Sequence, residues 1–81
     1  MDQTKVYSKQ ELDNADILYT IKKVSSILEE RGYNPINQIV GYLISGDLGY
    51  ITSYKGARTL ISEYDRSKIM EIILKQILWS I

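Results

Sequence analysis

The sequence predicts an all-α fold: a small four-helix protomer with a disordered N-terminal tail, paired as an intertwined two-fold homodimer. Three observations support this. Apolar residues recur at spacings of three and four between recognisable helix caps and stops. The last segment is apolar on nearly every face, more than three short neighbouring helices can cover. And 81 residues with no cysteine form a core that supplies only about 3–5 kcal/mol, which leaves dense helix packing or a second copy as the route to stability.

Residues 1–12 show neither a helical nor a strand period and read as a mobile tail ahead of a helical domain at 13–81. Asp13 or Asn14 is the expected cap of the first helix, with Asp16 near the positive end of its dipole. Ile17, Ile21, Val24, Ile27 and Leu28 form its apolar stripe, which runs to about Arg31, and Gly32 supplies a left-handed stop. Asn34 caps the second helix and Pro35 opens it, where a missing N–H costs nothing. Ile36, Ile39, Val40, Leu43 and Ile44 are expected on one side of this helix, which ends at Gly46. Between Gly32 and Tyr54 only Asp47 carries a charge, so this segment should be enclosed by the fold or by a second chain. Gly46, Asp47 and Gly49 make a turn, and Tyr50-Ile51-Thr52 reads as extended. Thr52 or Ser53 caps a third helix holding Ala57, Leu60, Ile61 and Tyr64, with Gly56 weakening its first turn. Asp65 caps the fourth. There Ile69, Ile72, Ile73, Leu74, Ile77, Leu78 and Trp79 are the expected dimer interface, in a run that continues through Met70 to Ile81.

Composition narrows the chemistry. Ten basic residues balance ten acidic ones, which removes the electrostatic pull toward nucleic acid or anionic lipid. Histidine and cysteine are both absent, so no imidazole base, thiolate nucleophile or usual zinc ligand is available, and neither a metal nor a cofactor is expected. No stretch approaches the ~18 apolar residues of a membrane span, and Met1-Asp2-Gln3-Thr4 lacks the pattern of a signal peptide. The expected compartment is the cytoplasm. Glu29 with Glu30, Asp47, and Glu63 with Asp65 are the candidates for paired carboxylates, but each fits a solvated end, a turn or a cap better. Gly46-Asp47-Leu48-Gly49 lacks the lysine and serine of a phosphate loop. The tyrosines are scattered over separate elements with no basic groove beside them. The alternative to a protein-binding regulator is a small helix-turn-helix-like DNA-binding protein. Its recognition helix would be Asn34 to Ser45, with Asn34, Asn37 and Gln38 as the base contacts and no cation to anchor phosphates.

The run Glu29-Glu30-Arg31-Gly32-Tyr33-Asn34-Pro35-Ile36-Asn37-Gln38-Ile39-Val40-Gly41-Tyr42-Leu43-Ile44-Ser45-Gly46-Asp47 resembles the signature of the IreB family, small regulatory phosphoproteins of Gram-positive bacteria. Its signature positions are Gly32, Tyr33, Asn34, Pro35, Asn37, Gln38, Gly41, Gly46 and Asp47. The likeness extends more loosely through Ala57-Arg58 and Asp65-Arg66 to the last helix. The resemblance implies a non-enzymatic, all-helical homodimer phosphorylated on threonine by a transmembrane PASTA-domain Ser/Thr kinase and reset by a cognate phosphatase. It also implies a role in peptidoglycan synthesis and resistance to cell-wall antibiotics, in part through Clp-dependent turnover of a precursor enzyme. The family's phosphoacceptor falls on Thr4. Val6, Tyr7 and Ser8 follow it where relatives carry aromatic residues and often another threonine, which leaves Ser8 as a candidate second acceptor. Leu48 and Thr52 replace prolines, and Ser62 and Glu63 replace an arginine pair, so no role of that pair carries over.

A kinase needs an accessible hydroxyl, and Thr4 in a tail meets that condition better than Thr20, Thr52 or Thr59 on or beside helices. Phosphorylation adds about −1.5 to −2 charges. The phosphate can dock on Lys55, Arg58, Arg66 or Lys68, the expected partner-binding cations, or it can break a partner's contact with the tail.

Overall fold

A computed structural model describes residues 9–79, with side-chain environments from residue 14 onward. Four helices follow one another: α1 (Lys9–Glu30), α2 (Pro35–Ser45), α3 (Ala57–Ser62) and α4 (Arg66–Leu78). Two 3-10 turns, Leu48–Tyr50 and Tyr54–Gly56, connect α2 to α3. No strand occurs among the described residues, and the all-α class holds. Thr4 and Ser8 lie outside the described residues, as does Ile81.

Helix α1 is the spine against which α2, α3 and α4 all pack. Its stripe reads as expected: Ile17, Val24, Ile27 and Leu28 are buried, with Ile21 at the margin. Its start differs, because the helix already runs at Lys9 and passes through Asp13 and Asn14 without using either as a cap. Lys9, Gln10, Glu11 and Leu12 are mostly strong helix formers, so propagating the helix through them costs little. The far end closes as predicted. Gly32 adopts φ +81, its amide donates to the Glu29 carbonyl and the Tyr33 amide donates to the Leu28 carbonyl, both at 3.0 Å. This is the bond pair of a Schellman stop.

Helix α2 also begins and ends as its caps dictate. The Asn37 amide donates to Asn34 Oδ1 at 3.1 Å, Pro35 occupies the first turn, and Gly46 takes φ +76 while its amide donates to the Tyr42 carbonyl. The single apolar side is corrected to two. Ile39, Tyr42 and Leu43 are buried, whereas Ile36, Val40 and Ile44 point outward.

The connector departs most from expectation. Tyr50 belongs to a 3-10 turn and Ile51 is extended, with its side chain 0% exposed in the core. The Thr52 hydroxyl accepts from the Tyr54 amide at 3.2 Å, and so it caps the turn rather than α3. Lys55 (φ +52) and Gly56 (φ +72) are both left-handed, so Gly56 enables the sharp entry to α3 instead of weakening its first turn. A left-handed conformation costs a side-chain-bearing residue such as Lys55 about 1–2 kcal/mol.

Helix α4 is not apolar on all faces to equal effect. Ile69 and Ile72 are fully buried by the protomer's own helices, because α4 lies against both α1 and α2. This removes them from the expected dimer interface. Ile73 is half-buried, while Leu74, Ile77, Leu78 and Trp79 remain exposed, as does Met70. Asp65 holds the N-cap position with extended backbone, yet its side chain makes no capping hydrogen bond. Its carbonyl accepts from the Ile69 amide at 3.0 Å.

Candidate functional site

The outward faces of α2 and α4 border an apolar groove of about 830 Å³. Ile21, Lys22, Ser25 and Ser26 of α1 contribute one side, Pro35, Ile36, Ile39, Val40 and Leu43 of α2 a second, and Met70, Ile73 and Leu74 of α4 the third. Among the described residues, Lys22 is the only charged one in this lining. Ile36 is 73% and Ile44 78% exposed on α2, and Leu78 is 67% and Trp79 75% exposed on α4. A soluble monomer rarely leaves large apolar residues clustered in this way, and such clusters mark contact surfaces.

Most signature residues serve the architecture that holds this face. Gly41 makes room for the Tyr50 ring, which a Cβ there would strike, and Gln38 Nε2 donates to the Tyr50 carbonyl at 2.9 Å. The Ser45 hydroxyl donates to the Gly41 carbonyl at 2.7 Å and accepts from the Asp47 amide at 3.0 Å. Asp47 Oδ1 in turn accepts from the Gly49 amide at 2.7 Å, a side chain completing a turn. Gly46 faces the Arg66 guanidinium, whose carbon would lie 2.8 Å from an added Cβ. Gly32, Asn34 and Pro35 set the α1–α2 turn. Apart from Asn34 in that turn, the exposed residues between Tyr33 and Ile44 are Tyr33, Ile36, Asn37, Val40 and Ile44.

Two of the three residues expected to read DNA bases are engaged within the protomer. Asn34 is engaged as a cap and Gln38 on a backbone carbonyl, which leaves Asn37 alone of the three expected base contacts.

The four expected partner-binding cations each have an intramolecular partner. Lys55 Nζ reaches Glu30 Oε1 at 2.9 Å and Oε2 at 3.2 Å, and the hydrogen bond to Glu30, reinforced by its charge, raises the Lys55 pKa. Tyr54 lies between two cations, with the Arg31 guanidinium 4.7 Å and the Lys55 ammonium 5.3 Å from its ring centre. Arg58 Nε donates to the Ile51 carbonyl at 2.7 Å. Arg66 donates to the Leu43 carbonyl at 3.1 Å, in the last turn of α2, where a cation is favoured by the helix dipole. Lys68 stands 3.8 Å from Glu71, which Lys75 holds more closely at 2.7 Å. The Lys75 hydrogen bond, then the charges of Lys68 and Lys75, lower the Glu71 pKa. Arg58 and Arg66, expected as docking points, thus tie α3 to the connector and α4 to α2 through backbone carbonyls. Sequence reasoning missed these tasks because they depend on contacts between distant segments.

No helix among the described residues is long and apolar enough to cross a membrane. Fold and surface define a small all-α protein whose outstanding feature is an apolar groove flanked by two exposed helix faces. The family model for the IreB regulatory phosphoprotein matches residues 2–79. The chain belongs to this family of regulatory phosphoproteins.

Proposed function

We propose that the protein is a non-enzymatic cytoplasmic regulator that acts as a homodimer through protein contacts and is switched by phosphorylation of Thr4. The kinase is a PASTA-type Ser/Thr kinase, opposed by a cognate phosphatase. The regulated process is peptidoglycan synthesis, with antibiotic tolerance as its outcome and Clp-dependent turnover of a precursor enzyme as one route. The observation that carries this reading is the extent of the family match, which takes in Thr4 together with all four helices.

The engaged cations favour one of the two modes of action. A phosphate docking on Lys55, Arg58, Arg66 or Lys68 would compete with Glu30, two backbone carbonyls or Glu71. Breaking a partner's contact with the tail requires no such exchange. Some −1.5 to −2 charges placed on a neutral chain suffice to repel or desolvate a contact made by the unmodified threonine.

Treatment with the kinase followed by intact-mass spectrometry tests the acceptor: the wild type gains one phosphate and Thr4→Ala gains none. Full phosphorylation of Thr4→Ala removes Thr4 from its role, and transfer to Ser8 would be revealed by Ser8→Ala in the same assay. Pull-downs with modified and unmodified protein then test the mode. Disruption predicts capture of the target by the unmodified form only.

A further inference from the structure

We infer that Arg31 and Tyr54 form a docking point for an acidic segment of a protein target, the Arg31 guanidinium taking one aspartate or glutamate carboxylate and the Tyr54 ring its apolar neighbour. This rests on the reading of the chain as a protein-binding regulator and adds where the target is held. The site stands at the far end of α1, on residues that take no part in the apolar groove.

Helix α1 ends at Glu30, and Arg31 follows it, exposed, beside the connector. Its guanidinium lies 4.7 Å from the centre of the Tyr54 ring and has no hydrogen bond or ion pair among the described residues. A guanidinium attracted to a ring is oriented by it and still holds free N–H donors in the planar fork that fits a carboxylate. Tyr54 is itself held on both sides. The Thr52 hydroxyl accepts from its amide at 3.2 Å, its carbonyl accepts from the Ala57 amide, and Lys55 beside it is fixed on Glu30 at 2.9 Å. Lys55 also keeps φ +52, a strained backbone of the kind that collects at binding sites. Tyrosine and arginine, exposed and already positioned, are the residue types that dominate binding energy at interfaces.

Charge selects the occupant. Glu29, Glu30, Arg31 and Lys55 sum to no net charge, and Glu30 already occupies Lys55. A single carboxylate finds Arg31 open, whereas a nucleic acid or an anionic membrane finds no surplus of cations among these four. A phosphate on Thr4 of the same chain is out of range. Lys9 and Arg31 lie about 33 Å apart along α1, and the residues from Thr4 to Lys9 span at most about 18 Å.

A displayed random-peptide library panned on the full chain should yield sequences with Asp or Glu beside an aromatic or aliphatic residue. Affinity for a synthetic copy should fall at least about tenfold in Arg31→Ala and in Tyr54→Ala, and as much when the acid of the peptide is replaced by its amide. Arg31→Lys keeps the charge but lacks the fork, and should bind almost as weakly. Recovered peptides without acids, or acidic peptides that bind Arg31→Ala and Arg31→Lys as they bind the wild type, overturn the site. Displacement of the peptide by inorganic phosphate at lower concentration than by acetate overturns the carboxylate as its occupant. Pull-downs with the unmodified chain separate the site from the regulator reading. A target retained equally by wild type and Arg31→Ala overturns the docking point and leaves the regulator standing, while a wild type that retains no target overturns both.

Discussion

Gly41 and Gly46 occupy the same helix and its stop, but glycine is required at each for a different reason. At Gly41 the backbone is ordinary helix, and the constraint is the Tyr50 ring against it. Gly41→Ala gains about 1 kcal/mol of helix propensity and meets an overpacking cost of about 1–3 kcal/mol. The expected result is a lower melting temperature, and in a Tyr50→Ala background the same change should become stabilising. No reversal of sign in that double-mutant cycle would mean that the ring is not the obstacle. At Gly46 the constraint is φ +76 together with the Arg66 guanidinium. Gly46→Ala should cost at least about 1–2 kcal/mol from backbone conformation alone, and Arg66→Ala should relieve only the steric part. Urea unfolding of the three variants separates the two contributions.

Among the elements, the two N-caps that look alike in sequence differ in the fold. Asn34 accepts from the Asn37 amide, while Asp65 makes no side-chain cap bond. Asn34→Ala should therefore cost about 1 kcal/mol and keep that cost in high salt. Asp65→Ala should lose only the attraction of its charge to the helix dipole, about 0.3–1 kcal/mol at low ionic strength, and that loss should vanish in 1 M salt. Equal, salt-independent losses in thermal melts would contradict the difference. On α4, Lys75 holds the Glu71 pKa below its usual value of 4.5. A depressed carboxylate contributes stability above its unfolded pKa and loses it as pH falls through the lower folded value. In carboxyl NMR, Glu71 should thus titrate at lower pH than an unpaired glutamate and return upward in Lys75→Ala. Helix caps and stops such as Asn34, Pro35, Gly32 and Gly46 were legible because their bonds span three to five residues. The roles of Arg66, Lys55 and Tyr50 were not, because a guanidinium on a carbonyl 23 residues away, an ion pair 25 residues apart and a ring against Gly41 leave no local pattern. The start of α1 was missed for another reason: Asp13 and Asn14 have good cap chemistry, and the residues before them have good helix propensity, which prevailed.

At the scale of the whole molecule, α4 is divided between two kinds of stability. Ile69 and Ile72 are covered within the protomer, whereas Ile77 and Leu78 are not. The sequence registered the excess of apolar surface correctly but could not divide it, since the division depends on where α1 and α2 lie. Ile72→Ala removes buried methyl groups and should cost about 2–5 kcal/mol, lowering the melting temperature by a similar amount at every protein concentration. Ile77→Glu leaves that core intact and places a charge on the exposed face. If the dimer forms there, its effect should be to abolish the rise of melting temperature with protein concentration, since association stabilises by mass action. The melting temperature of the dilute protein should fall much less than in Ile72→Ala, because Ile77 is exposed and its replacement opens no cavity in the core. Differential scanning calorimetry across a hundredfold concentration range distinguishes the two variants. If the wild type shows no concentration dependence, or Ile77→Glu unfolds the dilute protein as Ile72→Ala does, α4 is not divided in this way.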